Sequence, residues 1–523
     1  MTSTATGTPV AAGAAAASRR GVGRLGPRLG AAALSGGLVT VAFPPYDLWP
    51  LAPLGVALLV LACAGQAPRR AAMLGLMHGL VTFVPLLSWM TVIGLDAWLL
   101  LSLLEASFVA AMAAGLPTVW RLPGAPGWVA CLWVAQESVR DRVPFGGFPW
   151  GRLAFAETAS PLTPFAALGG APLVTAVTAL AGALLAGAVA TLTVGPIRRR
   201  RAAALALAVL VAIPAAGMVV GGMLAGRTGE GKRVTAAVVQ GGVPGEGLDF
   251  FGEREQVLRN HVAATHRLAA DVRSGRLAAP DLVIWPENAS DIDPFADAGA
   301  HDLISAAVRD VGVPVLVGAV VGGPGPDYVR NSAVVWDPQG GPGERYVKRH
   351  PVPFGEYIPF RDQLSGWIQR LDQIPRDFYA GARPGNLTVG PAKAGVVICF
   401  EVAYDGLVRD VVAGGAALLV VQTNNATYTG TGQPAQQMAL SRLRAVEHGR
   451  AVLVAATSGI SAVVAPDGSV QRRAPQRAVR TLVADVPLRE ETTLATRVAA
   501  WPEWLLTAAA AGALLVGRRR VRA

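Results

Sequence analysis

The chain has 523 residues, 52% of them hydrophobic and 15% charged, with a mean hydropathy of +0.42. A soluble globular chain carries about 25% charged residues, so this composition excludes a disordered protein and argues against a purely soluble one. Net charge is +11, but fifteen arginines (Arg19, Arg20, Arg24, Arg28, Arg69, Arg70, Arg121, Arg198 to Arg201, Arg518 to Arg520 and Arg522) flank apolar runs with no acid among them. Setting them aside reverses the sign of the remainder, so the basicity marks membrane flanks and not a nucleic-acid face.

Residues 1 to 17 are Ala, Thr, Ser and Gly with a single Pro, Val and Met, and read as a disordered tail within a cytoplasmic segment 1–28. The Arg19-Arg20 pair mimics a twin-arginine signal, but the spans that follow make the first one an uncleaved anchor. Seven apolar runs come next: Leu29–Phe43, Trp49–Gly65, Ala71–Gly94, Ala97–Trp120, Gly127–Val139, Ala171–Val194 and Ala202–Ala225. An eighth, Trp501–Val516, lies near the C-terminus. Lipid leaves backbone polar groups unsatisfied, so each run is expected to be a helix. The first and fifth are short for a span. With a cytoplasmic N-terminus, the inner segments 1–28, 66–70, 121–126, 195–201 and 517–523 hold all fifteen arginines. That is a positive-inside pattern for eight helices, and it places the segment 227–500 outside the cytoplasmic membrane. The expected domains are therefore a tail (1–28), seven helices (29–226), an outer domain (227–500), and a last helix with a basic tail (501–523).

The outer segment changes character. Short β-rich runs at Val234–Gln240, Asp281–Trp285, Val313–Val321, Ser332–Trp336, Gly395–Phe400, Ala416–Gln422, Ala451–Ala455 and Ser461–Ala465 alternate with helical spacing at Glu253–Ser274, His301–Val311 and Gln433–Gly449. Apolar strands separated by helices predict an α/β domain with covered sheet faces. Asp467-Gly468 is a hairpin signal.

Three strand ends carry reactive side chains: Glu287 after DLVIWP, Lys348 after RYV, and Cys399 after GVVI. Lys348 is one of only three lysines, with Lys232 and Lys393. A thiol attacks as thiolate, which a neighbouring base or cation supplies. A buried Glu can take that proton, and a Lys offsets an oxyanion. Each alone has a plainer reading: a buried small apolar side chain, a helix cap, a surface cation. The other cysteines, Cys63 and Cys131, lie far from Cys399 in sequence, and no CxxC or Cys/His cluster suggests a disulfide framework or a zinc site. Glu137 is expected to pair with Arg140, one turn away. Glu105, in a span, has no local partner.

The strings LVIWPEN, YVKRHPVPFGEYIPF and VVICFEVAYDG resemble, in this order, the three signature blocks of the carbon–nitrogen hydrolase (nitrilase) superfamily. With FPPYDLWPL, WVAQESVR and GGFPWG among the flanking helices, residues 29 to 516 resemble its apolipoprotein N-acyltransferase family. The resemblance implies an eight-helix membrane domain carrying an extracytoplasmic αββα sandwich. It implies Glu287 as general base, Lys348 as oxyanion stabiliser and Cys399 as nucleophile. It also implies support from Glu356 and from the pair Phe400-Glu401. The acyl donor would be a membrane phospholipid and the acceptor a diacylglyceryl apolipoprotein, with no metal or organic cofactor and no nucleic acid. The chain departs from the family at Gly242 and at a missing Trp near Phe250 and Phe251. It departs again at Thr427-Tyr428, so Phe250 and Tyr428 are candidate substrate contacts. Two other readings stay open: a membrane-tethered amidase, and a non-catalytic scaffold for a polyprenyl-phosphate glycosyltransferase.

Overall fold

The computed structural model describes residues 25–194, 200–225, 231–243, 254–364, 371 and 374–522. Each of the eight apolar runs is helical: Leu25–Ala42, Leu51–Cys63, Pro68–Leu86, Leu95–Val119, Ala125–Arg140, Ala166–Val194, Arg200–Ala225 and Trp501–Arg522. The first begins at Leu25, inside the expected tail. Four described stretches are long and apolar enough to cross a membrane: Leu25–Ala42, Leu95–Val119, Thr163–Thr193 and Arg200–Leu224. Small residues bring these helices close. A Cβ on Gly182 would lie 2.5 Å from the Pro53 carbonyl oxygen, so only glycine admits that contact.

One expected pairing is corrected. Arg140 does not pair with Glu137 but reaches Glu105 on the neighbouring helix, with Nη1 to Oε2 at 2.6 Å and both side chains about 1% exposed. Glu137 has other donors, the Leu153 N–H at 2.9 Å and the Thr175 hydroxyl at 2.8 Å. Glu105 sits mid-helix, where a buried carboxylate without a cation would cost several kcal/mol. The arginine goes to the acid that needs it more.

The outer segment forms two facing sheets. The first runs β13 (Arg480–Pro487), β1 (Arg233–Gln240), β2 (Leu282–Ile284), β3 (Val315–Gly322), β4 (Tyr328–Asp337) and β5 (Gly341–Val347), with β6 (Asp377–Phe378) beside β4. The second runs β12 (Val470–Arg473), β11 (Ala462–Val464), β10 (Val452–Ala456), β9 (Leu418–Thr423), β8 (Ala392–Ile398) and β7 (Asn386–Val389). The predicted hairpin at Asp467-Gly468 joins β11 to β12, with Gly468 at φ +82°. The alternation of side chains along each strand builds three apolar layers. Val238, Ile284 and Leu316 meet Val396, Leu418 and Leu453 between the sheets. Val239, Val283 and Val317 face outward onto the helices Arg254–Arg273 and Ala298–Val311, through Leu258 and Ile304. Val397, Leu419 and Val421 face the other way, onto the helices Asp405–Ala413 and Gln433–His448. The result is an αββα sandwich.

That last helical layer is continuous with the core of the apolar helices, in one cluster that includes Val60, Trp89, Trp150, Phe400 and Leu440. The helix Gln433–His448 is consequently buried along its whole length except at Ala435 and Arg442. An amphipathic surface helix would show a solvated face. This one is covered by the sheet below and by the apolar helices above.

Candidate active site

Four side chains converge at the C-terminal ends of β2, β5 and β8. Glu287 follows the Trp285-Pro286 break and is 4% exposed. Its Oε1 accepts from Asn331 Nδ2 at 2.7 Å and from Lys348 Nζ at 3.2 Å, and its Oε2 accepts from the Asn424 N–H at 2.7 Å. Lys348 leaves the end of β5, fully buried, and also donates to Glu356 Oε1 at 2.9 Å. Glu356 is fixed from its other side by the Val352 N–H at 2.7 Å and shares Asn331 with Glu287 at 3.0 Å. Burial pulls the Lys348 ammonium down, but Glu287 and Glu356 together outweigh it and hold its pKa well above the ordinary lysine value.

Cys399 begins a 3₁₀ turn immediately after β8, at φ +54°. A non-glycine residue in the left-handed region is uncommon and marks a conformation imposed by its surroundings. The turn ends the strand at the rim of the inter-sheet core, against which Cys399 packs while remaining partly exposed. Sγ accepts from the Thr423 hydroxyl at 3.2 Å. Burial first, then the Glu287 carboxylate, push the thiol up to about 12, while Lys348 and the Thr423 hydrogen bond pull it back. The thiol is therefore neutral near pH 7, and nucleophilic attack requires its proton to be taken at the moment of reaction.

Glu401 ties the two chain segments together. Its carboxylate accepts from the Ile398 N–H at 2.7 Å, the Arg349 N–H at 2.7 Å, the His350 N–H at 3.0 Å, and the Tyr346 hydroxyl at 2.9 Å. The residue before the cysteine and the residues on both sides of the lysine thus share one buried anion. Burial pushes this carboxyl up, while Lys348 and the surrounding donors limit the rise.

Phe400 stacks between the two parts of the chain, 5.5 Å from the Phe148 ring and 5.9 Å from the Trp150 ring. Tyr404 donates to the Gly147 carbonyl at 2.8 Å, and Arg152 pairs with Asp405 at 2.9 Å. Gln436 Oε1 accepts from both Trp89 Nε1 at 3.1 Å and Trp150 Nε1 at 2.7 Å. The loop GGFPWG is thereby docked on the segment that follows the cysteine.

The family profile for the apolipoprotein N-acyltransferase N-terminal domain matches residues 35–184, and that for carbon–nitrogen hydrolase matches residues 235–496. Over 506 residues the chain is 39% identical to an apolipoprotein N-acyltransferase of Mycolicibacterium smegmatis, covering 93% of this chain and 84% of that protein. It is 30% identical to one of Azotobacter vinelandii, covering 94% and 95%. The chain belongs to the apolipoprotein N-acyltransferase family. It is an enzyme of the acyltransferase class, with a nitrilase-like α/β domain and several long apolar helices. Among solved structures, an amidase from Nesterenkonia sp. is similar at 20% identity, with a TM-score of 0.34, covering 50% of this chain and 94% of that one.

Against the motifs of this N-acyltransferase family, the structure brings Glu287, Lys348, Glu356 and Cys399 into one cluster, with Phe400 and Glu401 packed directly behind it. Tyr428 is half-buried against Trp89, ring centroids 5.1 Å apart, and lies close enough to Cys399 for a thiolate there to raise its hydroxyl. Phe250 lies outside the described residues. Sequence reasoning missed Asn331, Thr423 and the Asn424 N–H. Asn331 carried little signal, because Arg330 and Ser332 flank it in β4 and the apolar run begins after it. Thr423 carried none, because a threonine at a strand end is ordinary.

Proposed function

We propose that this enzyme transfers an acyl chain from a membrane phospholipid to the N-terminal cysteine amine of a diacylglyceryl apolipoprotein, through a thioester on Cys399. The observation that carries the reading is the contact of Lys348 with both Glu287 and Glu356, beside a thiol that feels all three charges. Glu287 takes the Cys399 proton and sulfur attacks the ester carbonyl. Lys348 and the Phe400 N–H hold the oxyanion. The carbon–oxygen bond breaks, Glu287 returns the proton to the departing lysophospholipid alkoxide, and a thioester remains. The acceptor amine then attacks the thioester, Glu287 removes its proton, the carbon–sulfur bond breaks, and the proton passes back to the thiolate. None of these steps calls on a metal or an organic cofactor.

The arginine distribution supports eight membrane-spanning helices, with the N-terminus cytoplasmic and residues 227–500 on the outer side. Domain limits follow as 29–226 for the first seven helices, 227–500 for the catalytic domain and 501–523 for the last helix with its basic tail. Both proposed substrates are held in the bilayer. The continuous core joining the apolar helices to the helix Gln433–His448 suits a site that receives them from that side. An entrance lined by Tyr428 and its aromatic neighbours keeps water from the thioester and favours transfer over hydrolysis.

The test is mass spectrometry of the Cys399 peptide after incubation with phospholipid carrying a labelled acyl chain. The label is expected on Cys399 and absent in Cys399→Ser. No label, with turnover of a soluble amide, would make the protein a membrane-tethered amidase. Unchanged lipoprotein acylation in Cys399→Ala would make it a scaffold.

A further inference from the structure

The reacting sulfur has one hydrogen-bond donor that the scheme above does not use. Thr423 ends β9, the parallel neighbour of β8, in a register that pairs Ile398 with Gln422. Gln422 turns into the inter-sheet core and donates to the Trp285 carbonyl at 2.6 Å. Thr423, one residue on, turns to the opposite face, where Cys399 and the helix Gln433–His448 meet. Its side chain is 1% exposed, so its hydroxyl proton must find a protein acceptor.

Two acceptors lie at the same distance, Cys399 Sγ at 3.2 Å and Gln437 Oε1 at 3.2 Å. They are not equivalent. A span of 3.2 Å is beyond the ordinary O–H···O range, whereas sulfur is the larger acceptor and the same separation is a close contact. Gln437 Oε1 already accepts from Asn425 Nδ2 at 2.6 Å and from Gln433 Nε2 at 3.3 Å, which occupies both of its lone pairs. These contacts direct the proton to sulfur. We propose that Thr423 is a further catalytic residue, whose hydroxyl donates to the Cys399 sulfur and stabilises the thiolate both as nucleophile and as leaving group. This rests on the reading of Cys399 as the nucleophile. The sulfur carries negative charge twice in each cycle, when it attacks the ester and when it leaves the thioester, and at both moments the fixed hydroxyl is in place without reorganisation. Gln437 is a positioning residue that closes off the other side of the hydroxyl.

The charged and titratable groups that act on the sulfur are Glu287, Lys348 and Glu356, with Tyr428 beside it. All four remain in place when only the hydroxyl is removed. The experiment is the pH profile of Cys399 alkylation by iodoacetamide in the full-length protein in detergent, read on the Cys399 peptide so that Cys63 and Cys131 do not contribute. Thr423→Val keeps the shape and removes the donor. At each pH below the midpoint its alkylation rate is expected to fall about three- to tenfold, the thiolate lost with one hydrogen bond to a charged acceptor less the gain in nucleophilicity of a more basic sulfur, and Thr423→Ser is expected to restore it. Thr423→Ala gives the same readout should the valine variant fail to fold. A valine or alanine profile that superimposes on that of the unaltered protein overturns the proposal. Because this assay contains no lipid, its outcome is separate from that of the acyl-label experiment. A missing label would sink the transfer mechanism while leaving the donor to Cys399 measurable.

Discussion

Replacing Glu401 by Gln is the most discriminating perturbation of the scaffold behind the site. The carboxylate is acceptor-only, and its surroundings are all donors. Oε1 faces the Arg349 and His350 N–H groups, Oε2 faces the Ile398 N–H, and the Tyr346 hydroxyl lies 2.9 Å from each oxygen. A glutamine must turn its NH2 toward one side. Facing Oε1's partners it strands two backbone N–H groups. Facing Oε2's partner it strands the Ile398 N–H and one of its own hydrogens, since the tyrosyl oxygen can accept the other. The second arrangement is preferred and leaves two buried donors unpaired, each costing about 1–3 kcal/mol, for a total of about 2–6 kcal/mol. Glu401→Ala strands all three N–H groups, and Tyr346→Phe removes one donor while leaving the carboxylate satisfied. Thermal unfolding in detergent should therefore rank the loss as Glu401→Ala, then Glu401→Gln, then Tyr346→Phe. The first two should also slow thioester formation on Cys399, because Ile398 and the Lys348 flanks lose their common anchor. A Glu401→Gln protein with an unchanged unfolding midpoint and full Cys399 acylation would refute the reasoning.

Three other outcomes follow from the same geometry. Glu287→Gln removes the carboxylate whose charge raises the Cys399 thiol, so the pH midpoint of Cys399 alkylation should move down, while acyl-thioester formation falls about 10²–10⁴-fold for want of a base. A midpoint that stays or rises, or thioester formation that stays at the level of the unaltered protein, would contradict that assignment. Asp405 is half-buried, and burial alone would raise its carboxyl, but Arg152 and Arg444 outweigh it and hold it below the usual range. A depressed folded-state value adds stability that is present above the unfolded-state value of about 4 and lost as pH falls below it. Asp405→Asn should therefore lower the unfolding midpoint at pH 7, and the difference from the unaltered protein should shrink below about pH 4; a difference independent of pH would count against the ion pairs. Glu105→Gln leaves the Arg140 guanidinium buried without its anion, which should destabilise the protein by about 3–5 kcal/mol in denaturant titration, whereas a change under about 1 kcal/mol would show that Arg140 finds another partner.

The apolar elements were legible in the sequence because their signal is local. All eight apolar runs are helices, and the strands with continuous Val, Leu and Ala, such as Leu418–Thr423 and Val452–Ala456, fall where the runs predicted them. The strands that escaped are β6, β7, β12 and β13, at or next to sheet edges, and of β5 only the end before Lys348 was named. β12 reads VQRR and is exposed throughout. Such strands carry no apolar run, and pairing with a distant neighbour defines them: β13 lies along the whole of β1, from Arg233 opposite Pro487 to Gln240 opposite Arg480. The same distinction applies to polar contacts. The (i, i+3) rule pointed Glu137 at Arg140, and the tertiary contact with Glu105 overrode it. In the site, the residues at strand ends could be named from sequence, but the groups that hold them could not. Asn331 bridges two carboxylates, and Thr423 donates across from β9 to the turn after β8. Neither relation exists until the sheets are assembled.

The position of Phe400 bears on why the sandwich and the helices act as one unit. The residue after the cysteine supplies the N–H that would meet the oxyanion, and a shift of a few tenths of an ångström there changes the strength of that hydrogen bond. Its ring is held by stacking at interplanar angles of 25° on Phe148 and 19° on Trp150, both on the loop between two apolar helices. Arg444 fixes the next residues by donating to the Val402 carbonyl at 2.8 Å and the Ala403 carbonyl at 2.7 Å, and Arg152 reaches Asp405 from the same loop region. The backbone from 400 to 405 is thus clamped from below by the sheet's own helix and from above by the loop GGFPWG. A sandwich separated from its helices would keep Glu287, Lys348 and Glu356, whose contacts lie within the α/β domain, but would lose half the clamp on the oxyanion donor. In the proposed mechanism, proton transfer and oxyanion binding would therefore be supported by different parts of the chain, and a Trp150→Ala substitution should slow acylation while leaving the pH midpoint of Cys399 alkylation where it is. A shift of that midpoint in Trp150→Ala would show that the two functions are not separable in this way.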